Sequence, residues 1–147
     1  MKKVLLMMFA VMMTLCSCSK EDKDSTSVGD WEEMVVSVEN AKFDTSSADC
    51  KIVNIPSDGN DFTLKVTNYD DWWIQSVNIK ETSTNIYKAV KVKDRRDVTC
   101  DWGSVNVVSN QARCYISANT SVESRTIKLE MTAGDVFETI YIVQAGK

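Results

Sequence analysis

The chemistry open to this chain is bounded first by which side chains it has. Its 147 residues include five cysteines and no histidine, so the commonest general base and the commonest transition-metal ligand are both missing. A cysteine nucleophile wants a histidine partner, which argues against that class of enzyme, and no metal set or cofactor motif stands in its place. A carboxylate-based glycosidase needs paired acids in a cleft, whereas the acids here fall on strand exteriors, turns and a charged N-terminal segment. Two kinds of residue remain. Cys18 is a thiol placed directly after an apolar run, where it could be acylated at a membrane surface. Trp31, Tyr69, Trp72, Trp73, Tyr87 and Trp102 could stack on the apolar C–H faces of sugar rings, with Asp70, Asp71 and Asp101 nearby to accept from hydroxyls.

The elements that position Cys18 are legible. Met1-Lys2-Lys3 is a short basic region, and Val4 to Leu15 is an almost unbroken apolar run. It is shorter than the roughly 20 residues a permanent membrane-spanning helix needs and suits a secretory signal. Leu15-Cys16-Ser17-Cys18 then resembles the bacterial lipobox. That resemblance implies diacylglycerol transfer to the Cys18 thiol, cleavage before it and acylation of the new amino group. Residues 1–17 are therefore expected to be a signal peptide, 18–30 a lipidated tether and 31–147 the domain. Two or three acyl chains anchor stably where one does not. Ser19 to Asp24 is charged and hydrophilic, a solvated tether. Its Lys20-Glu21-Asp22 resembles the surface-export signal of Bacteroidetes lipoproteins, which implies an outer-membrane lipoprotein facing outward; the alternative is a periplasm-facing one.

Loss of residues 1–17 leaves 130 residues, enough for one domain with a core, and losing Lys2 and Lys3 takes the formal charge from −4 to −6. No basic stripe exists, so nucleic acid is not an expected partner. Cys50, Cys100 and Cys114 remain after Cys16 is removed and Cys18 acylated. With an odd number, at most one internal disulfide forms. Cys100 and Cys114 flank a strand and turn and could pair in an oxidising envelope; equally, Cys114 alternates with Ile116 and Ala118 as a buried thiol would.

The domain is expected to be all-β. Strands are predicted at 34–38, 50–55, 62–67, 73–79, 86–92, 105–108, 114–118, 125–131 and 136–143, with turn residues between them. Short alternating strands at this spacing predict an immunoglobulin-like β-sandwich of about 7–9 strands.

The C-terminal half has a further likeness. Asn119, Arg125-Thr126-Ile127-Lys128-Leu129, Gly134 and Thr139 through Gly146, ending Gln144-Ala145-Gly146, resemble the close of a BACON domain, a Bacteroidetes-associated β-sandwich named for carbohydrate binding. Phe62-Thr63-Leu64-Lys65-Val66 followed by Trp72 or Trp73, with Trp102 beyond, extends the likeness over Phe62–Gly146. The Lys80–Asp97 segment is longer than the family core, and residues 31–61 have no clear counterpart. The resemblance implies a sandwich that binds glycans.

Arg125, opening a strand, is expected to hydrogen-bond loop carbonyls with its fork of donors, and Gln144 to fix the last strand similarly. Adjacent Trp72 and Trp73 must face opposite ways in a strand. Trp73 shares its parity with Val77 and Ile79, which predicts Trp73 in the core and Trp72 outward. The expected ligand platform is thus Tyr69, Asp70, Asp71, Trp72 and Trp102, on a non-enzymatic module binding a carbohydrate or a protein. The alternative is a spacer or structural subunit of an outer-membrane assembly. Solvent-facing aromatics aligned on one surface favour binding; burial of all four tryptophans favours the spacer.

Overall fold

The structure, a computed structural model, describes residues 31–47, 50–82 and 84–147. The expected signal peptide, Cys18 and the expected tether lie outside these residues. The described chain forms strands and no helix: β1 (Val36–Glu39), β2 (Lys51–Ile55), β3 (Asn60–Val66), β4 (Trp73–Lys80), β5 (Lys88–Val90), β6 (Val92–Lys93), β7 (Asp97–Cys100), β8 (Gly103–Val108), β9 (Gln111–Ile116), β10 (Arg125–Ala133) and β11 (Val136–Gln144). A six-stranded sheet in the order β1-β3-β9-β8-β7-β6 packs on a five-stranded sheet in the order β2-β11-β10-β4-β5. The chain changes sheet at β1–β2, β2–β3, β3–β4, β5–β6 and β9–β10, and β2 runs parallel to the last strand, β11. This is an immunoglobulin-like β-sandwich.

Period-two alternation explains most of it. Phe62, Leu64 and Val66 on β3 meet Ala112, Cys114 and Ile116 on β9, while Ile127, Leu129 and Met131 on β10 and Ile140 and Ile142 on β11 face them from the other sheet. Each such side chain buried contributes about 1.5–3 kcal/mol. The β10–β11 hairpin turns on Gly134-Asp135, with Gly134 at φ +66, a left-handed conformation that glycine reaches without penalty.

The strand count exceeds the expected 7–9 for a local reason. The segment predicted as one strand over 86–92 crosses between sheets at Lys91, so that β5 pairs with β4 and β6 with β7, while Ile86 and Tyr87 stay outside on the surface. The short β7 was not anticipated.

A second departure decides which residues face solvent. Along β4, Val77 pairs with Leu129 and Ser76 with Glu130, but Ile74 pairs with Met131, its immediate neighbour. Gln75 is the extra residue of a β-bulge, and beyond a bulge side-chain parity inverts. Trp72 and Ile74 therefore point inward together with Val77 and Ile79, and Trp73 points outward. The sequence-based assignment of the two tryptophans is reversed.

Candidate binding face

The expected platform does not assemble. Trp72 is 0% exposed and Trp102 5%, both part of the core. Tyr69 is half-buried, its hydroxyl donating to the Glu32 carbonyl at 2.5 Å. Together with Asn68, which donates to the Glu33 carbonyl and accepts from Val35 N at 2.8 Å each, it fastens the segment ahead of β1. Asp70 and Asp71 are exposed, and Asp71 lies 3.8 Å from the Arg96 guanidinium. The Arg96 carbonyl accepts from Val107 N, near the end of β8 opposite Trp102, so roughly 13 Å of strand separates the two ends of the proposed cluster.

Trp102 instead belongs to a polar node that closes the far end of the sandwich. The Arg125 guanidinium lies 4.4 Å from the centre of the Trp102 ring, donates to Gln144 Oε1 at 2.7 Å and reaches the carbonyls of Ser117 (2.9 Å) and Ala118 (3.1 Å). Burial lowers its pKa below that of a free arginine. Gln144 donates to the Pro56, Ser57 and Ser117 carbonyls. Buried Asn119 ties the Glu123 and Ala145 carbonyls together. Gly146 passes so close to Val122 that a Cβ would stand 2.1 Å from its carbonyl oxygen. The expected partners of Arg125 and Gln144 are the observed ones, and their role is structural.

The cysteines also depart from one expectation. Cys100 and Cys114 are free thiols. Cys100 pairs with Gly103, Gly103 with Ile116, and Cys114 sits two residues before Ile116 on β9. Two strand spacings and two residues put the Cα atoms roughly 11–12 Å apart, beyond the about 7 Å that a disulfide can bridge. Cys114 faces the core, 3% exposed, and burial pushes its thiol up to about 12. Alkylation of the native protein, followed by mass spectrometry, is expected to label Cys100 well before Cys114, because the thiolate is the nucleophile. Equal resistance of both until a reductant is added would show a bond between them.

The aromatics that do reach solvent gather elsewhere, on the outer face of the five-stranded sheet. Phe137, Thr132 and Trp73 stand opposite one another across β11, β10 and β4 and so share a face. Phe137 is 66% exposed and Trp73 partly so; Thr132 lies buried between them, its hydroxyl donating to the Gly134 carbonyl at 2.7 Å. The Arg95 guanidinium sits 5.4 Å from the Trp73 ring centre. It is held there by a left-handed turn at Asp94 (φ 51) and Arg95 (φ 58), braced by a 2.8 Å hydrogen bond from Ile74 N to the Arg95 carbonyl. Four residues along β10, Lys128 stands opposite Tyr141 on β11 and Asn78 on β4, with Lys80 against the ring of Tyr87 at 5.7 Å.

Between these two aromatic rows runs a polar one. Lys128 Nζ donates to Glu130 at 2.6 Å, and the Ser76 hydroxyl donates to the same carboxylate. The Lys128 hydrogen bond, then that of Ser76, holds the Glu130 carboxyl below its ordinary pKa; the reciprocal bond raises that of Lys128. The bulge leaves Gln75 exposed beside them, with no hydrogen bond among the described residues. The opposite outer face differs: a shallow groove of about 330 Å³ there is lined by polar Asp61, Thr63, Ser104, Asn106 and Arg113 together with Phe62 and Tyr115. Among the described residues no group of three or more Cys, Asp and Glu could hold a metal ion, and no helix is long and apolar enough to cross a membrane.

The fold is similar to that in the NMR structure of a protein from Bacteroides thetaiotaomicron, with a TM-score of 0.62 and 22% sequence identity over 88% of this chain and 98% of that one. The M1 domain of titin aligns over 79% of this chain and 96% of its own, at 12% identity and a TM-score of 0.45. No family model and no curated protein matches the chain.

Proposed function

We propose that this chain is a lipoprotein, anchored through Cys18 and displayed on the outer face of the outer membrane, whose sandwich binds glycans on the outer face of its five-stranded sheet. One observation carries the reading: Phe137, Trp73, Tyr141 and Tyr87 are aligned on that face. A sheet exterior that only met water would expose mainly polar side chains, as the opposite face does apart from Val108 and Tyr115. Here the central charges, Lys128 and Glu130, are paired with each other, which leaves a flat apolar surface with a polar seam. Sugar rings match both parts, their C–H faces stacking on the rings and their hydroxyls pairing with the seam. The lipobox-like Leu15-Cys16-Ser17-Cys18, the export-like Lys20-Glu21-Asp22 and the BACON-like order of motifs support the same reading.

The role is binding rather than catalysis. Glu130, the carboxylate within the face, is held ionised by two donors and so has no proton to give as a general acid. Burial of Trp72 and Trp102 favours the second reading, a spacer with no ligand. The two separate on a glycan array probed with the full protein in detergent micelles. Binding is expected, with Phe137→Ala weakening it by about tenfold or more and leaving the unfolding transition in place, since Phe137 is largely exposed. No binding to any plant, host or microbial glycan leaves the spacer.

A further inference from the structure

Given that reading, the geometry of the face specifies the shape of its ligand, and we infer that it is an extended, equatorially linked hexose chain of at least three units lying across the strands. Phe137 and Trp73 flank β10 from the two neighbouring strands, which sets them about 10 Å apart, two strand spacings. A flat hexopyranose joined through equatorial bonds advances by about one strand spacing per unit and presents the same ring face at every second unit. Units one and three then stack on Phe137 and Trp73, while unit two passes over Thr132. Thr132 lies recessed between the rings with its hydroxyl turned to Gly134, so nothing stands in the way of the middle unit.

Hydrogen-bonding groups lie alongside this row rather than in it. Gln75, projected by the bulge, has an amide free of partners among the described residues. Arg95 brings further donors at the Trp73 end, held against the ring. Bulges re-aim side chains beside functional sites, and this one both turns Trp73 outward and exposes Gln75. An axially linked glycan curls, and cannot lay two rings at that spacing on one flat face.

The test is titration calorimetry of the full protein in micelles against three ladders of two to six units: cello-, β-1,4-manno- and malto-oligosaccharides. Affinity for an equatorial ladder is expected to rise about tenfold or more between two and four units and to exceed that for maltotetraose. Phe137→Ala and Trp73→Ala are each expected to flatten the length dependence, and Gln75→Ala to weaken every length alike. Affinity independent of length, equal binding of maltotetraose, or unchanged profiles in both aromatic variants overturns the inference. Those outcomes leave glycan binding intact if an array still detects a ligand; silence on both array and ladders removes the two together.

Discussion

Replacing Trp72 with alanine is expected to destabilise the domain by about 3–5 kcal/mol, the usual loss for a large aromatic removed from a core. Against a total stability of about 5–15 kcal/mol, that leaves much of the population unfolded near physiological temperature. Trp72 is fully buried among Met34, Val36, Ile74 and the rest of the core cluster, so truncation leaves a cavity that a β framework closes only in part. Its indole Nε1 meets no acceptor among the described residues, so Trp72→Phe removes no hydrogen bond and is expected to lose only about 1 kcal/mol. Trp73→Ala, one position on but facing out, is expected to change stability by less than about 1 kcal/mol. Urea unfolding of the three variants measures all of this. Parity counted along the unbulged sequence predicts the reverse order for the two alanine variants, and that result would place the bulge elsewhere.

Gln144→Leu should also destabilise the domain, by about 1–3 kcal/mol, through a different route. Leucine fills much of the same volume, so the loss is not a cavity. Gln144 is 0% exposed and holds four partners: the carbonyls of Pro56, Ser57 and Ser117, and the Arg125 Nε donor. Leucine satisfies none of them, and each buried polar group left without a partner costs about 1–3 kcal/mol. Each carbonyl keeps another donor, Gly59 N for Pro56, Asn119 N for Ser57 and Arg125 for Ser117, so the group left unpaired is the Arg125 Nε donor. A double-mutant cycle with Arg125→Met is expected to show coupling of about 1 kcal/mol or more. A loss below about 1 kcal/mol for Gln144→Leu would mean that solvent reaches the node and replaces the side chain.

The two variants mark where local pattern suffices and where it does not. Arg125 and Gln144 were readable because each ends a strongly alternating strand, and a buried fork or amide at such a position has little to bind except nearby loop carbonyls. The strands β3, β4, β10 and β11 were readable for the same reason, since one apolar face per strand shows in the order of residues. Trp72 and Trp73 were misassigned because parity is a local rule only while the ladder is unbroken. The break lies in the pairing of β4 with β10, where Ser76 and Ile74 meet consecutive residues; β10 begins 45 residues after β4 ends. Cys100 and Cys114 illustrate the same limit. Fourteen positions apart in the chain, they are separated by a whole intervening strand, which spacing cannot reveal.

What the sequence determined by itself is therefore of two kinds. The absence of histidine removes whole classes of chemistry in any fold, and alternation settles an all-β sandwich, because burying one face of each strand is the only way those residues leave water. Which aromatics meet solvent was decided by the tertiary structure alone. One residue more on β4 than on the strand beside it exchanged the places of Trp72 and Trp73 and aligned Trp73 with Phe137. That count of two residues against one belongs to a pair of strands, and neither strand carries it alone.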